Sequence, residues 1–321
     1  MDVSGKGGRR PNVLGVHSID HFALQVPDLD EARRFYTLFG LDVRDKDGAI
    51  ELYAKDNPHR WAVITQGEGA KRLRYLSFGI FEDEVDAFRK HLESCGVRFI
   101  DAPAGAESNG IWFESFDGLP VNVRVGEKKT PNEKSKFTFT SSEPGKSGAV
   151  PNSKAPKVHP RRLSHFALFC SDVPAGIAYY EKTLGLRLSD KSGPAVAFLH
   201  GCHGSDHHLL ALVMSDRRGM HHNSWDVGSV TEVGLGGTTM ARAGFEQGWG
   251  LGQHVLGANY FYYVRDPWGS YSEYSADIDF IPHDTEWEAG DHPPEDSMFL
   301  WGPNPPPEFI QNFEPAPETA A

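Results

Sequence analysis

The sequence predicts an α+β protein made of two tandem copies of one domain, each copy assembled from two βαβββ modules. Three observations carry that expectation: an internal repeat, a strand–helix unit that recurs inside each half, and a compositional break between the halves. The repeat is direct. Residues 19–43 read IDHFALQVPDLDEARRFYTLFGLDV and residues 163–187 read LSHFALFCSDVPAGIAYYEKTLGLR, a displacement of 144 residues. Self-similarity of this kind marks one folding unit used twice.

Each element follows in order. Both copies open on a strand, I-D-H-F-A-L or L-S-H-F-A-L, then turn at an Asp/Pro segment able to cap a helix. An amphipathic stretch then runs to a glycine, where a helix ends. In the first copy ELYA and RWAVIT read as short strands. A second unit follows: RLRYLSFGI, the helix EDEVDAFRKHLESCG, then VRFI, IWFESF and PVNVRV. The second copy has AVAFLH, HLLALVM, NYFYYVRD and YSEYSAD in the corresponding places.

Composition sets the boundaries. Residues 1–12 are basic and Gly-rich and read as a flexible arm, residues 13–126 as the first domain, and 161–282 as the second. Between them 127–160, rich in Lys, Ser, Pro and Gly, reads as a linker. Residues 283–321 form an acidic, Pro-rich tail whose Trp287, Phe299, Trp301 and Phe309 predict that it packs back over the body.

Several function classes drop out. A net charge of −12 disfavours nucleic acid, and no apolar run is long enough to span a membrane. The arm leads into no apolar segment of the kind a signal peptide needs. Three scattered cysteines, Cys95, Cys170 and Cys202, predict no disulfide framework and a reducing, cytoplasmic setting. Histidine is the unusual residue: nine of the 15 fall between His159 and His254.

The repeat supplies an internal comparison. His165 aligns with His21, each third in its opening strand. The start of the fourth module sets His222 opposite Tyr75, and the closing strands set Glu273 opposite Asn122. One copy therefore offers His, His and Glu where the other offers His, Tyr and Asn. Two neutral imidazoles and one carboxylate form the facial triad of non-haem Fe(II) oxygenases, which leaves three coordination positions open. Tyr75 and Asn122 make a poor divalent site, so the first copy reads as a metal-free scaffold. His203, His207 and His221 are expected to be solvated surface residues, and GWGLGQHVLGAN reads as a Gly-rich loop holding His254.

These segments resemble the type I extradiol ring-cleaving dioxygenases of the vicinal oxygen chelate superfamily, over roughly residues 13–310. LSHFALFCSD is similar to the family's first ligand strand and HHNSWDV to its second. QHVLGANYFYYVRDPWGSYSEY is similar to its C-terminal signature, with the spacing His–x8–Tyr–x9–Glu falling on His254, Tyr263 and Glu273. The resemblance implies two vicinal-oxygen-chelate domains, each a partly open barrel, the second catalytic. It implies His165, His222 and Glu273 as ligands of Fe(II), with Mn(II) fitting the same donors, and His208 as the acid–base residue. His254 and Tyr263 would bind the substrate oxygens. It also implies a catechol and O2 as substrates, a muconic-semialdehyde-type product, a place in aromatic-compound degradation, and a homo-oligomer, tetrameric in much of the family.

The tail DTEWEAGDHPPEDSMFLWGPNPPPEF is similar to that of homoprotocatechuate 2,3-dioxygenases, where it covers the site. The chain departs from that subgroup at Trp249, where an arginine contacts the substrate carboxylate, and at Ala167, where an asparagine stands. With Phe198 these are the expected pocket residues, and they favour a catechol without a carboxylate. Two rival readings belong to other classes: a glyoxalase-type metal-dependent isomerase and a non-enzymatic ligand-binding protein. The first draws ligands from more modules and the second has no need of the triad.

Overall fold

The structure is a computed structural model that describes residues 8–139 and 141–316. In the first half the elements are β1 (Ser18–Val26), α1 (Leu29–Phe39), β2 (Asp42–Lys46), β3 (Ala49–Tyr53), β4 (Arg60–Gln66), β5 (Arg72–Ile80), α2 (Val85–Cys95), β6 (Arg98–Phe99), β7 (Ile111–Glu114) and β8 (Pro120–Val125). The second half has β9 (Arg162–Cys170), α3 (Val173–Leu184), β10 (Leu186–Ser192), β11 (Val196–Gly201), β12 (Ser205–Asp206), β13 (Leu210–Met214), β14 (Gly219–Asp226), α4 (Val230–Arg242), β15 (Gly248–Gln253), β16 (Tyr260–Arg265) and β17 (Tyr271–Ala276). The short strands β18 (Phe280–Ile281) and β19 (Gly290–Asp291) belong to the tail.

The strand orders are β2-β3-β4-β1-β5-β8-β7-β6 and β15-β16-β17-β14-β9-β13-β11-β10-β19. Both follow one rule. The first strand of each module pairs in parallel with that module's last, and the two first strands of a domain pair antiparallel. Four βαβββ modules in two open sheets are the result, as the repeat predicts.

Local sequence explains the helices. In α1 the buried residues are Ala32, Phe35, Tyr36 and Phe39, spaced as one helix face. Asp28 caps its N-terminus by accepting from Asp30 N and Glu31 N, a contact contributing about 1 kcal/mol. Gly40 ends it at φ 99°, where a Cβ would stand 2.1 Å from the Val158 carbonyl. Asp172 and Gly185 play the same parts for α3.

The two domains share one apolar core. Phe22 and Phe166, equivalent in the repeat, touch with ring centroids 5.0 Å apart, and Phe39 stacks on Tyr274 at 3.9 Å. A buried ion pair, Lys71 Nζ to Asp266 Oδ2 at 3.0 Å, also crosses between them.

Of the arm expected at residues 1–12, residues 1–7 lie outside the described residues. Arg9 in the remainder donates to Asp83 and Glu84, and Arg10 to Glu286, so residues 8–12 are docked. The tail bonds to both domains: Glu314 accepts from Leu73 N at 2.8 Å and Met220 N at 2.9 Å. Residues 317–321 lie outside the described residues. No helix among the described residues is long and apolar enough to cross a membrane.

Candidate metal centre

The site follows from register. Ser224 of β14 pairs with His165 of β9 on one side and with Glu273 of β17 on the other. His222, two residues before Ser224, lies on the same face of β14. Three adjacent strands thus bring His165, His222 and Glu273 together, with their ligand atoms within 4.8 Å of one another. His165 Nε2 stands 3.1 Å, and His222 Nε2 3.7 Å, from Glu273 Oε2. Donors about 2.1 Å from one ion and at right angles stand about 3 Å apart, so the spacing suits a single divalent cation.

The orphaned atoms fit such an ion. His222 Nε2 and Glu273 Oε2 are buried with no hydrogen-bond partner. Leaving a buried polar atom unpaired costs about 1–3 kcal/mol, and a cation between them removes that cost. Burial disfavours ionised Glu273. Contact with His165 outweighs it, holding the carboxyl below the ordinary glutamate value. Burial, then the neighbouring histidines, pushes His222 well below the ordinary imidazole value, toward the neutral form a metal requires.

Neighbours set the ligand tautomer. Arg162 donates to both oxygens of Asp206, at 2.8 and 3.0 Å, and Ser164 Oγ donates to Asp206 Oδ2 at 2.7 Å. Ser164 Oγ has then used its proton, so at 3.3 Å it accepts from His165 Nδ1. That leaves the His165 Nε2 lone pair facing the site. Asn259 Nδ2 donates to Glu273 Oε1 at 3.1 Å and to Ser275 Oγ at 2.9 Å, which fixes the carboxylate. Asn259, Ser164 and Asp206 were not foreseen, because no spacing in the sequence links them to the triad.

The other expected residues gather around this centre. His208 packs against His165 with ring centroids 4.0 Å apart, and burial drives it well below the ordinary imidazole value. His254 Nδ1 must donate to the Met298 carbonyl, 2.6 Å away, so its Nε2 accepts from the Tyr263 hydroxyl at 2.9 Å. Burial, reinforced by Glu273, raises Tyr263 well above the ordinary phenol value. Phe198 lies 4.8 Å from His208, and Ala167 pairs with His222 across β9 and β14. Trp249 stacks on Tyr263 at 5.5 Å and donates through Nε1 to the Pro303 carbonyl at 2.6 Å.

Two expectations are corrected. His203, His207 and His221 are not surface residues but are 0%, 0% and 3% exposed. Long-range partners that a local reading cannot see bury them: Arg10 N donates to His203, His207 bonds Asp190, and Phe309 of the tail covers His221. The expected loop around residues 248–253 is strand β15. Its glycines serve close approach, since a Cβ on Gly248 would stand 2.2 Å from the Tyr263 carbonyl.

Comparison with known proteins agrees with this geometry. The family model of the Glyoxalase/Bleomycin resistance protein/Dioxygenase superfamily matches residues 18–123 and 162–274. Metapyrocatechase 2 of Cupriavidus necator is 50% identical over 299 residues, 93% of each chain. The crystal structure of homoprotocatechuate 2,3-dioxygenase from Arthrobacter globiformis superposes with a TM-score of 0.74 at 20% identity, covering 98% of this chain and 97% of that one. A Mn(II)-bound glyoxalase from Novosphingobium aromaticivorans superposes equally well, at 0.74 and 22% identity, covering 95% and 97%. The fold is thus common to more than one chemistry, while the extended sequence identity is with a dioxygenase. The chain belongs to the Glyoxalase/Bleomycin resistance protein/Dioxygenase superfamily, and within it to the extradiol ring-cleaving dioxygenases.

Proposed function

We propose that the chain opens the ring of a catechol-type substrate beside its diol, consuming O2 and giving a muconic-semialdehyde-type product. The observation that carries the reading is the pair of orphaned, buried atoms, His222 Nε2 and Glu273 Oε2, facing His165 Nε2. His165, His222 and Glu273 are the ligands of an Fe(II) ion, and Mn(II) fits the same donors. When bound, the metal supplies a positive charge that favours the ionised diol and a path for electrons between the ring and O2.

The protein's own groups handle the protons. The Tyr263 hydroxyl donates to His254, which leaves its oxygen lone pairs to accept from a substrate hydroxyl. Tyr263 itself stays protonated, so one substrate oxygen keeps its proton and the diol is held as a monoanion. His208, buried and neutral, takes a proton as base and returns it as acid when the O–O bond breaks. The product holds every atom of catechol and both of O2.

The substrate reading rests on Trp249, Phe198 and Ala167, apolar side chains packed beside Tyr263, His208 and His222 with no cation among them. A catechol without a carboxylate, bearing an alkyl, nitro or aryl group, suits this lining. The part of the tail carrying Met298, Trp301 and Pro303 bonds to β15 and His254 and covers the site. We assign residues 13–126 and 161–282 to the two domains, with the second catalytic, and infer a cytoplasmic homo-oligomer. Comparing kcat/KM for catechol, 3- and 4-alkylcatechols, nitrocatechol, a trihydroxytoluene, dihydroxybiphenyl and homoprotocatechuate tests the substrate class. A preference for homoprotocatechuate would overturn it.

A further inference from the structure

His208 does not end its hydrogen-bond line. Its Nδ1 lies 3.1 Å from His207 Nδ1, and His207 Nε2 lies 2.8 Å from Asp190 Oδ2. Asp190 Oδ1 in turn meets His292 Nε2 at 2.8 Å and the Gly290 N–H at 2.9 Å. The last two groups come from the tail, where β19 pairs in parallel with β10 and sets Gly290 beside Asp190. The line runs outward: His207 is fully buried, and the His292 side chain is 35% exposed.

The polarity of this line is determined. Burial works against an ionised Asp190, but hydrogen bonds from His207, His292 and Gly290 prevail and hold its carboxyl below the ordinary aspartate value. An ionised carboxylate only accepts, so His207 Nε2 and His292 Nε2 both donate. If His207 is the neutral imidazole with its one proton on Nε2, its Nδ1 is bare. His208 Nδ1 must then be the donor between the two rings, which leaves the other nitrogen of His208, Nε2, without a proton. The His207 ring is also held in place, with Trp287 on one side at 5.6 Å and Phe198 at 5.8 Å.

We propose that Asp190 and His292 are positioning residues that, acting through His207, hold His208 as the Nδ1–H tautomer so that its Nε2 meets the substrate as a base. The tail then takes part in the chemistry of the site as well as covering it. This assignment rests on the reading of His208 as the acid–base residue.

Three variants test it in the Fe(II)-loaded enzyme: Asp190→Asn, whose amide can donate to His207 and reverse the line, His292→Ala, and His292→Gln, which keeps a donor. Asp190→Asn is expected to lower kcat about 10–100-fold with KM within about threefold, as for groups that orient an active-site residue. His292→Ala loses less, and His292→Gln recovers most of that loss. A second readout is independent of turnover: in protein labelled with 15N-histidine, the ring resonances report which nitrogen carries the proton. The wild type is expected to show Nε2–H on His207 and Nδ1–H on His208, and Asp190→Asn to lose that pattern. Nδ1–H on His207 in the wild type would overturn the assignment, as would an Asp190→Asn kcat equal to wild type or a loss that tracks metal content. A wild type that consumes no O2 with any catechol refutes the ring-cleavage reading instead, and leaves the tautomer result standing.

Discussion

The two halves of the chain hold the same frame around different contents. In the first, His21 pairs with Ser77, Tyr75 with Ala23 and Asn122 with Ser77; in the second, His165 pairs with Ser224, His222 with Ala167 and Glu273 with Ser224. The registers coincide, so the three pairs of side chains occupy equivalent points. In the first half His21 has both ring nitrogens engaged, Nδ1 2.6 Å from Asp20 Oδ2 and Nε2 3.0 Å from the Tyr75 hydroxyl. Asn122 turns its amide to the Asn109 carbonyl at 3.0 Å. In the second half two atoms of the set, His222 Nε2 and Glu273 Oε2, have no partner, against one in the first, Asn122 Oδ1. The fold thus fixes where three side chains meet, and the side chains decide whether the meeting point holds a metal.

The largest test of that contrast exchanges each member of the two sets for alanine. His222→Ala and Glu273→Ala are expected to lose bound iron and about 10⁴-fold or more in kcat/KM, whereas His21→Ala keeps full iron content by elemental analysis. Iron loss from the His21 variant would break the comparison. Next comes His208→Phe: iron stays bound, but single-turnover rates fall about 10²–10³-fold, since only proton handling is removed. Asn259→Ala frees Glu273 Oε1, so iron affinity measured by competition with a chelator should weaken about 10–100-fold. Trp249→Arg places a cation beside the pocket, at the cost of the bond to Pro303, and should shift the kcat/KM ratio toward homoprotocatechuate about 10-fold.

A last effect, read in stability and not in activity, is one the halves share. Burial lowers His17 and His203 each to about 4, so both are neutral when folded. The unfolded chain takes up those protons near pH 6.5, before the folded one does. Stability of the metal-free protein is therefore intact above pH 6.5 and falls as pH drops toward 4, by roughly 3 kcal/mol per pH unit at its steepest. Urea unfolding across that range measures it, and a flat profile would contradict the assignment of two buried neutral histidines.

Much of this was legible in the sequence, because a repeat converts position into geometry. Counting from equivalent strands was enough to set His222 against Tyr75 and Glu273 against Asn122, and the register bears out the alignment. What stayed hidden depends on contacts between distant segments. Asp190 reaches His207 and the tail only after β10, β13 and β19 have assembled, and nothing near Asp190 in sequence signals that. His203, His207 and His221 read as solvated because histidine is polar; residues far away in the chain bury them and supply their partners. The Gly-rich stretch is a loop only from His254 onward; residues 248–253 are strand because their glycines answer to strand β16 and the tail.

The central claim is most directly tested with an oxygen electrode on Fe(II)-reconstituted protein given catechol, with the ring-opened product followed by its yellow absorbance. The account predicts one O2 consumed per catechol opened, with both signals lost in Glu273→Ala and retained in His21→Ala. Absence of O2 uptake by the iron-loaded wild type, or equal uptake by Glu273→Ala, would contradict it.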